Sequence, residues 1–138
     1  MKVPPLNNLI IERFKESADL QTTFAEKNSE QIIQAVRLLA TALKAGNKIM
    51  LFGNGGSAAD AQHIAAEFVN RLYKTKRERP PLAALALTTD TSVLTSIGND
   101  RDFSHVFSRQ IRALGKKGDI AWGLSTSGNS PNMIAAIM

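Results

Sequence analysis

His63 and Glu67 are the residues of this sequence best suited to acid–base or metal chemistry. They stand four positions apart in a stretch with a helical pattern, so both side chains lie on one helix face. An imidazole beside a carboxylate serves either as a base with its helper or as two ligands of one divalent metal ion. Two ligands do not complete a metal site, so further ligands would have to come from elsewhere. A surface pair without chemistry is the remaining interpretation.

A glycine-rich segment, Gly53-Asn54-Gly55-Gly56-Ser57, comes directly before this helix and disfavours that last interpretation. Its three glycines let the backbone turn sharply and approach a ligand. We predict Ser57 as the helix N-cap, where the free N–H groups just beyond it favour an anion or polar oxygens. With Ala58, the segment also fits the G-x-G-x-x-A dinucleotide pattern. The acidic residue expected about 20 positions later is missing, because Asp90 comes far too late, and a nicotinamide site is therefore the weaker interpretation.

Hydroxyl groups are concentrated in the segment Ser125-Thr126-Ser127-Gly128-Asn129-Ser130. Hydroxyls and backbone N–H groups at a strand-to-helix turn suit a phosphate monoester, although a polar loop without a ligand would have a similar composition. The segment has no lysine, so a Walker-type site for a nucleoside triphosphate is not implied. Asn99 and Asp100 could offer an amide and a carboxylate to sugar hydroxyls, or could only end a helix.

The elements that position these residues alternate between helices and short apolar strands. Amphipathic patterns predict a helix over residues 6–25 and a second that opens at Asn28 and closes at Gly46. Strands are predicted at 48–52, 82–87 and 118–124, each followed by helix, with Asp90 and Pro131 at helix starts. Further helices are expected over 58–72, 90–97 and 103–114. This order predicts an α/β fold, a three-layer α-β-α sandwich with a parallel sheet, preceded by two N-terminal helices.

Ligands of such folds bind outside the carboxyl ends of the strands. The three loops that follow the predicted strands span residues 53–57, 88–92 and 125–130, and two of them are the segments singled out above. We expect residues 1–45 to be a helical pair for oligomerisation and residues 46–138 to be the α/β domain. Two leading amphipathic helices are more than a small sheet needs for cover, which suggests packing against another subunit.

Composition narrows the class of protein. The 138 residues are 43% hydrophobic, contain no cysteine and have no uninterrupted membrane-spanning run, so we expect a cytoplasmic protein without a membrane partner. The net charge is +5, and the run from Arg71 to Arg79 supplies most of it. Because this surplus is local and only Tyr73 lies within it to stack on bases, it favours a solvated loop over an anion or nucleic-acid site.

Four motifs together resemble the sugar isomerase (SIS) domain family and, more narrowly, its phosphoheptose isomerase branch. They are the glycine-rich segment, the His63 and Glu67 pair, Gly98-Asn99-Asp100 and the hydroxyl-rich segment with Leu124 before it. The resemblance runs through the whole chain, including the two leading helices. It implies a flavodoxin-like nucleotide-binding type of fold and a homotetramer with active sites at subunit interfaces. The implied reaction converts sedoheptulose 7-phosphate into D-glycero-D-manno-heptose 7-phosphate, a precursor for lipopolysaccharide and other bacterial surface glycans.

The resemblance also implies roles for individual residues. Glu67 would be the catalytic base that moves a proton between C1 and C2 through an enediol, and His63 and Glu67 would be two ligands of a zinc ion. Contacts to the phosphosugar would come from the hydroxyl-rich segment, from the glycine-rich segment and from the end of a helix. The expected substrate-binding residues are Asn54, Gly55, Gly56, Glu67, Asn99, Asp100, Ser125, Thr126, Ser127 and Ser130.

The sequence departs from the family pattern at its C-terminal end. The family's later glutamine and histidine, which complete the metal site and supply the general acid, have no counterpart before Met138. His105 is the only other histidine, and its position does not match. We therefore expect a fragment or truncated product that is inactive alone. A related SIS protein that binds the replication initiator DnaA lacks the carboxylate that matches Glu67, so the presence of Glu67 favours the isomerase over this protein or a phosphosugar sensor.

Overall fold

The computed structural model of the chain describes residues 5–71 and 79–138. The chain divides after Leu38 into two compact units. Helix α1 (Leu6–Lys44) makes up the first unit and enters the second, and its only interruption is at Asn28, where φ is −123° and ψ is 15°. The Asn28 side chain donates a hydrogen bond of 2.9 Å to the carbonyl oxygen of Phe24. The predicted start of a second helix at Asn28 is thus confirmed, although the break there is a kink within α1 and not a loop between two separate helices.

The first unit has no buried residue between positions 5 and 38. Its apolar stripe follows the spacing that the sequence predicts, but within one chain these side chains are left in solvent. The large apolar side chains exposed in this unit are Leu6, Ile10, Ile11, Phe14, Leu20, Phe24, Ile32, Ile33, Val36 and Leu38.

The second unit is built on a three-stranded parallel sheet. Strand β1 (Ile49–Gly53) lies in the middle, with β2 (Ala84–Ala86) on one side and β3 (Ile120–Leu124) on the other. Ile49 is in register with the first residues of both neighbours. Every residue of β1 is buried, as expected for the central strand of a parallel sheet.

Helices cover both faces of the sheet. They are α2 (Gly56–Val69), α3 (Thr91–Asp100), α4 (Val106–Leu114) and α5 (Pro131–Ile137), and a 3₁₀ turn (Phe103–His105) leads into α4.

Alternate residues of β1 belong to two separate cores. Ile49 and Leu51 pack with α2 and the end of α1, whereas Met50 and Phe52 pack with α3, α4 and α5. This alternation follows from the two-residue period of a strand. The predicted three-layer α-β-α sandwich with a parallel sheet is therefore confirmed.

Several predicted boundaries were wrong. Residues 98–100 do not follow α3 but form its last turn, and residues 103–114 form a 3₁₀ turn and a helix rather than one helix. Strand β2 is shorter than predicted, and α2 ends at Val69. The predicted cap of α3 is confirmed, since the Asp90 side chain accepts a hydrogen bond from the Val93 N–H at 3.0 Å.

Among residues 5–71 and 79–138, no helix is long and apolar enough to cross a membrane. The prediction for the basic run concerns residues 72–78, which lie outside the described part of the chain.

Candidate active site

The glycine-rich segment forms a sharp turn between β1 and α2. Gly55, rather than the predicted Ser57, is the residue that caps α2, and its φ of 55° and ψ of −122° suit only glycine. The Ala58 N–H already bonds to the Gly55 carbonyl oxygen at 3.0 Å, so the helix begins before the serine. Ser57 consequently lies within the first turn of α2. The free N–H groups at this end of α2 still face the carboxyl edge of the sheet.

Asn54 in this turn is held by Asn132 of α5. The Asn54 Nδ2 donates to Asn132 Oδ1 at 2.9 Å, and the Asn132 Nδ2 donates back to Asn54 Oδ1 at 2.8 Å. Asn132 is only 3% exposed. One edge of the Asn54 amide is therefore already engaged, which leaves one N–H and one oxygen lone pair for any ligand.

The hydroxyl-rich loop lies between β3 and α5, beside the glycine turn. The Ser125 hydroxyl accepts a hydrogen bond from the Gly128 N–H at 3.1 Å, and the Ser127 hydroxyl accepts one from the Asn129 N–H at 3.2 Å. Thr126 is exposed, and Ser130 caps α5 without a side-chain hydrogen bond to the helix. These four hydroxyls are therefore free to donate to an anion.

We call the region between these two loops the loop site. It comprises the glycine turn (residues 53–56) and the hydroxyl loop (residues 125–130), which follow the neighbouring strands β1 and β3. Because α2 and α5 lead away to opposite faces of the sheet, a crevice opens between them, as at the switch point of a doubly wound fold. A cavity of about 300 Å³ lies there. It is lined by Asn54, Asp102, Phe103, Ser104, Ser130, Pro131 and Asn132.

Two further predicted residues lie close to this cavity along the chain. Asn99 and Asp100 end α3, two to three positions before Asp102, and both are exposed. The Asn99 Nδ2 donates to the Asp100 carboxylate at 2.8 Å. Hydrogen bonds from the Ser104 side chain and then its N–H lower the pKa of Asp102. The Asp102 carboxylate is thus a fixed negative charge on the wall of the loop site.

His63 and Glu67 form a second candidate site, which we call the helix site. The His63 Nε2 lies 3.3 Å from Glu67 Oε1, as the four-residue spacing predicts. Glu67 Oε2 is buried and has no hydrogen-bond partner among the described residues. A cavity of about 400 Å³ adjoins the pair, with Ile64, Phe68, Arg79 and Leu82 as its other described lining residues.

Arg79 fixes the end of α2 at this site. Its guanidinium donates to the Glu67 carbonyl oxygen and, at 3.0 Å, to the Pro80 carbonyl oxygen. The Leu82 N–H also bonds to the Phe68 carbonyl oxygen at 3.1 Å. Both contacts come from the segment just before β2, so the helix site lies toward the amino edge of the sheet.

The loop site and the helix site are therefore not adjacent within one chain. Gly56 and Glu67 are separated by eleven residues of α2, which is roughly 16 Å at 1.5 Å per residue. Glu67 therefore lies well away from the glycine turn and the hydroxyl loop of its own chain. The predicted site residues therefore fall into two groups, near the two ends of α2.

The helix site has the donors of an incomplete metal site. An imidazole nitrogen and a carboxylate are ordinary zinc ligands, and an unpartnered buried carboxylate oxygen is the expected state of a ligand oriented toward a cation. Within the described ranges, no group of three or more His, Cys, Asp or Glu residues could hold a metal ion. Any further metal ligands must therefore come from outside the described residues of this chain.

Two residues of these sites, Asn132 and Arg79, were not predicted from the sequence. Asn132 carried only a weak signal, namely a polar residue in the first turn of the otherwise apolar α5. Arg79 was counted only as part of a basic run, because nothing in its spacing connects it to Glu67. Both act through hydrogen bonds between distant segments, which local patterns do not reveal.

The parallel sheet, with a lysine-free, hydroxyl-rich loop at its switch point, defines a class of α/β domain without a Walker loop. Comparison with known proteins narrows this class. The SIS domain model matches residues 13–138, and the chain belongs to the SIS domain family.

Two similar bacterial proteins carry the same name. The chain is 56% identical to the phosphoheptose isomerase of Aquifex aeolicus over 124 residues, which are 90% of this chain and 63% of that protein. It is 55% identical to the phosphoheptose isomerase of Desulfovibrio desulfuricans over 130 residues, which are 94% of this chain and 60% of that protein. The chain thus spans about three fifths of the length of the curated relatives it matches.

Solved structures agree with the fold. Phosphoheptose isomerase GmhA from Neisseria gonorrhoeae superposes with a TM-score of 0.86 at 47% identity, over 96% of this chain and 67% of that chain. A phosphoheptose isomerase from Francisella tularensis gives a TM-score of 0.88 at 34% identity, over 96% of this chain and 68% of that chain.

Proposed function

We propose that this chain contributes the phosphosugar site and the catalytic base of a phosphoheptose isomerase. The reaction is the conversion of sedoheptulose 7-phosphate into D-glycero-D-manno-heptose 7-phosphate, in the supply of heptose for lipopolysaccharide. The single observation that carries the proposal is the Glu67 carboxylate, whose buried Oε2 has no partner among the described residues. The relatives named phosphoheptose isomerase support the choice of reaction.

Glu67 has the properties that an aldose–ketose isomerase requires of its base. The substrate carries its carbonyl at C2 and a hydroxymethyl group at C1. The base removes one proton from C1 while O2 gains a proton, which gives an enediol. The base then returns its proton to C2 while O1 loses its hydroxyl proton and the carbonyl forms at C1, so that a proton has also moved from O1 to O2. A carboxylate oxygen without an internal partner is free to take the C1 proton, and His63 at 3.3 Å from the other oxygen orients the group.

The loop site would hold the two ends of the substrate. We assign the phosphate to the hydroxyls of Ser125, Thr126, Ser127 and Ser130 and to the N–H groups that begin α5. The sugar would lie over the glycine turn, against Asn54, Gly55 and Gly56. Asn99 and Asp100 would contact its hydroxyls. No lysine or arginine is needed, because hydroxyl and backbone donors at a helix start suffice for a phosphate monoester.

The separation of the two sites supports assembly with further copies of the chain. Glu67 and the hydroxyl loop belong to opposite edges of one sheet, so a working site requires Glu67 from one copy and the loop from another. The exposed apolar stripe of the first unit is a surface that such an assembly would cover. We propose a homotetramer, with its active sites where subunits meet.

His63 and Glu67 would hold one zinc ion per subunit, together with ligands from outside the described residues. The ion would supply Lewis-acid polarisation of the substrate oxygens when bound. The cytoplasmic location stays a prediction. The alternative of a DnaA-binding or phosphosugar-sensing regulator is not favoured, since the relatives named above are all phosphoheptose isomerases.

The proposal is tested with the protein expressed from its complete reading frame. Sedoheptulose 7-phosphate turnover is measured for the wild type and for Glu67→Gln, and phosphosugar binding is measured by calorimetry. We expect Glu67→Gln to lose at least about a thousandfold in kcat, since it removes the proton acceptor, and to bind substrate within about threefold of the wild type. Glu12→Gln, on the exposed face of α1, is the matched control. Unchanged turnover in Glu67→Gln would remove Glu67 from the mechanism.

A further inference from the structure

Asn132 is a buried amide that joins the two halves of the loop site. It is the second residue of α5, lies two positions after Ser130, and is 3% exposed. Its side chain forms two reciprocal hydrogen bonds with Asn54, at 2.9 and 2.8 Å. A cyclic pair of this kind fixes both the distance and the relative orientation of two amide planes, because each group must donate and accept at once.

The pairing of β1 with β3, which ends at Gly53 and Leu124, fixes where the two loops start, but few contacts hold the loops to each other beyond that point. The glycine turn caps α2 without a side-chain hydrogen bond, and the hydroxyls of Ser125 and Ser127 bond only within their own loop. Among residues 5–71 and 79–138, no other hydrogen bond joins residues 53–57 to residues 125–132.

We propose that Asn132 is a positioning residue, which acts through Asn54 to hold the sugar-binding turn at a fixed separation from the phosphate-binding loop. This inference rests on the proposed function. A substrate bound by its phosphate then presents its reacting carbons at one place, which lowers the entropy lost on reaching the transition state. Asn132 lines the cavity but is only 3% exposed, whereas Asn54 is half-buried and keeps one edge of its amide for the sugar.

Replacement of Asn132 with aspartate tests the pair without changing its size. When ionised, the aspartate accepts from Asn54 Nδ2, but its second oxygen faces Asn54 Oδ1 and one bond becomes a repulsion. When protonated, it donates to Asn54 Oδ1, and both bonds return. The loss of kcat in Asn132→Asp, relative to the wild type, must therefore become smaller as pH falls. Asp102 on the cavity wall stays ionised in this range, because the Ser104 hydrogen bonds lower its pKa. The charge of the neighbouring His105 acts in the wild type and the variant alike, so its effect cancels in their ratio.

The experiment compares kcat and KM of the wild type and Asn132→Asp between pH 5 and pH 9, in the protein from its complete reading frame. At pH 8 we expect kcat to fall at least about tenfold with KM within about threefold, since the phosphate loop is intact. The ratio of variant to wild-type kcat rises toward acid pH. Asn8→Asp on α1, the same chemical change at an exposed position, gives a ratio near one throughout. A defect that is absent, confined to KM or equal at every pH would overturn the positioning role.

If Asn132→Asp does not fold, a second measurement, made on the wild type, still tests the proposal. In the wild type, hydrogen exchange of side-chain amides is followed by NMR, with exposed Asn129 as the internal reference. Slow exchange at Asn54 and Asn132 supports the pair, and exchange as fast as at Asn129 overturns it. Absence of wild-type turnover overturns the proposed function, whereas turnover with unprotected amides overturns only the positioning role.

Discussion

Gly53 and Leu124 end neighbouring strands in register, and they approach so closely that a Cβ at position 53 would lie 2.8 Å from the Leu124 carbonyl oxygen. The same Cβ would also lie 2.8 Å from the Ser57 Cβ and carbonyl oxygen. The contact brings the starts of the glycine turn and the hydroxyl loop together. The close approach of the two strand ends therefore requires a residue without a side chain at position 53.

Replacement of Gly53 with alanine should destabilise the protein. Since the clash is with backbone atoms that cannot rotate away, we expect a loss of about 1–3 kcal/mol in the free energy of unfolding, measured by urea denaturation. Gly56→Ala is the control, because nothing lies within 4 Å of its Cβ position. It should leave stability equal or slightly higher. Equal losses in the two variants would contradict the steric explanation.

Asp119 should make stability depend on pH in the acid range. Its carboxylate accepts from the Lys48 N–H at 2.9 Å and the Lys116 N–H at 2.8 Å and pairs with the Lys48 ammonium group. The hydrogen bonds from Lys48 are the main reason that its pKa is lowered from 3.8 to about 2. Because the folded-state pKa is the lower one, the stabilisation is complete above about pH 4 and is lost as pH falls toward 2.

Asp119→Asn should therefore be less stable than the wild type at pH 6, and the difference should narrow between pH 4 and pH 2. Urea midpoints across this range measure the effect. Asp60→Asn, at an exposed position on α2, controls for the change in net charge. A difference between Asp119→Asn and the wild type that stays constant with pH would show that the carboxylate is not the titrating group.

Much of the fold followed from the sequence because it depends on local signals. The apolar run at β1 predicted a buried central strand, Asp90 predicted the cap of α3, and Pro131 predicted the start of α5. The cap of α2 was misplaced because Gly55 occupies a glycine-specific conformation, which removed Ser57 from the cap position.

The candidate site was predicted less completely than the fold. The contact between His63 and Glu67 was predicted from their spacing, because residues four positions apart on a helix are neighbours on its surface. Their separation from the hydroxyl loop was not predicted, because it depends on which edge of the sheet each end of α2 reaches. Likewise, the partnership of Asn54 with Asn132 joins segments 78 positions apart, beyond any local pattern.

Zinc binding should depend on His63. In the protein from its complete reading frame, His63→Ala should weaken zinc affinity at least about tenfold in calorimetry, since it removes one of a small number of ligands. His105→Ala is the matched control, because that histidine is exposed and caps α4 away from Glu67. Equal affinities in His63→Ala and the wild type would place any zinc elsewhere.

The hydroxyl loop should control substrate binding rather than the chemical step. Ser130→Ala removes one donor to the phosphate, and we expect KM to rise about tenfold with kcat changed less than about twofold, as for the loss of one hydrogen bond to a charged group. Ser96→Ala is the control, since its exposed hydroxyl bonds only within α3. A fall in kcat at constant KM would assign Ser130 to the reaction itself.

The central claim, that Glu67 of one copy acts on a substrate held by another, is tested most directly by mixing two inactive variants. Glu67→Gln lacks the base, and Ser127→Asp places a carboxylate where the phosphate would bind. The two are co-expressed, and sedoheptulose 7-phosphate turnover of the mixed assemblies is measured. Random assembly restores one intact base and one intact loop at about a quarter of the shared sites, so we expect about a quarter of wild-type turnover. Turnover no higher than that of either variant alone would contradict a shared site and place both parts in one chain.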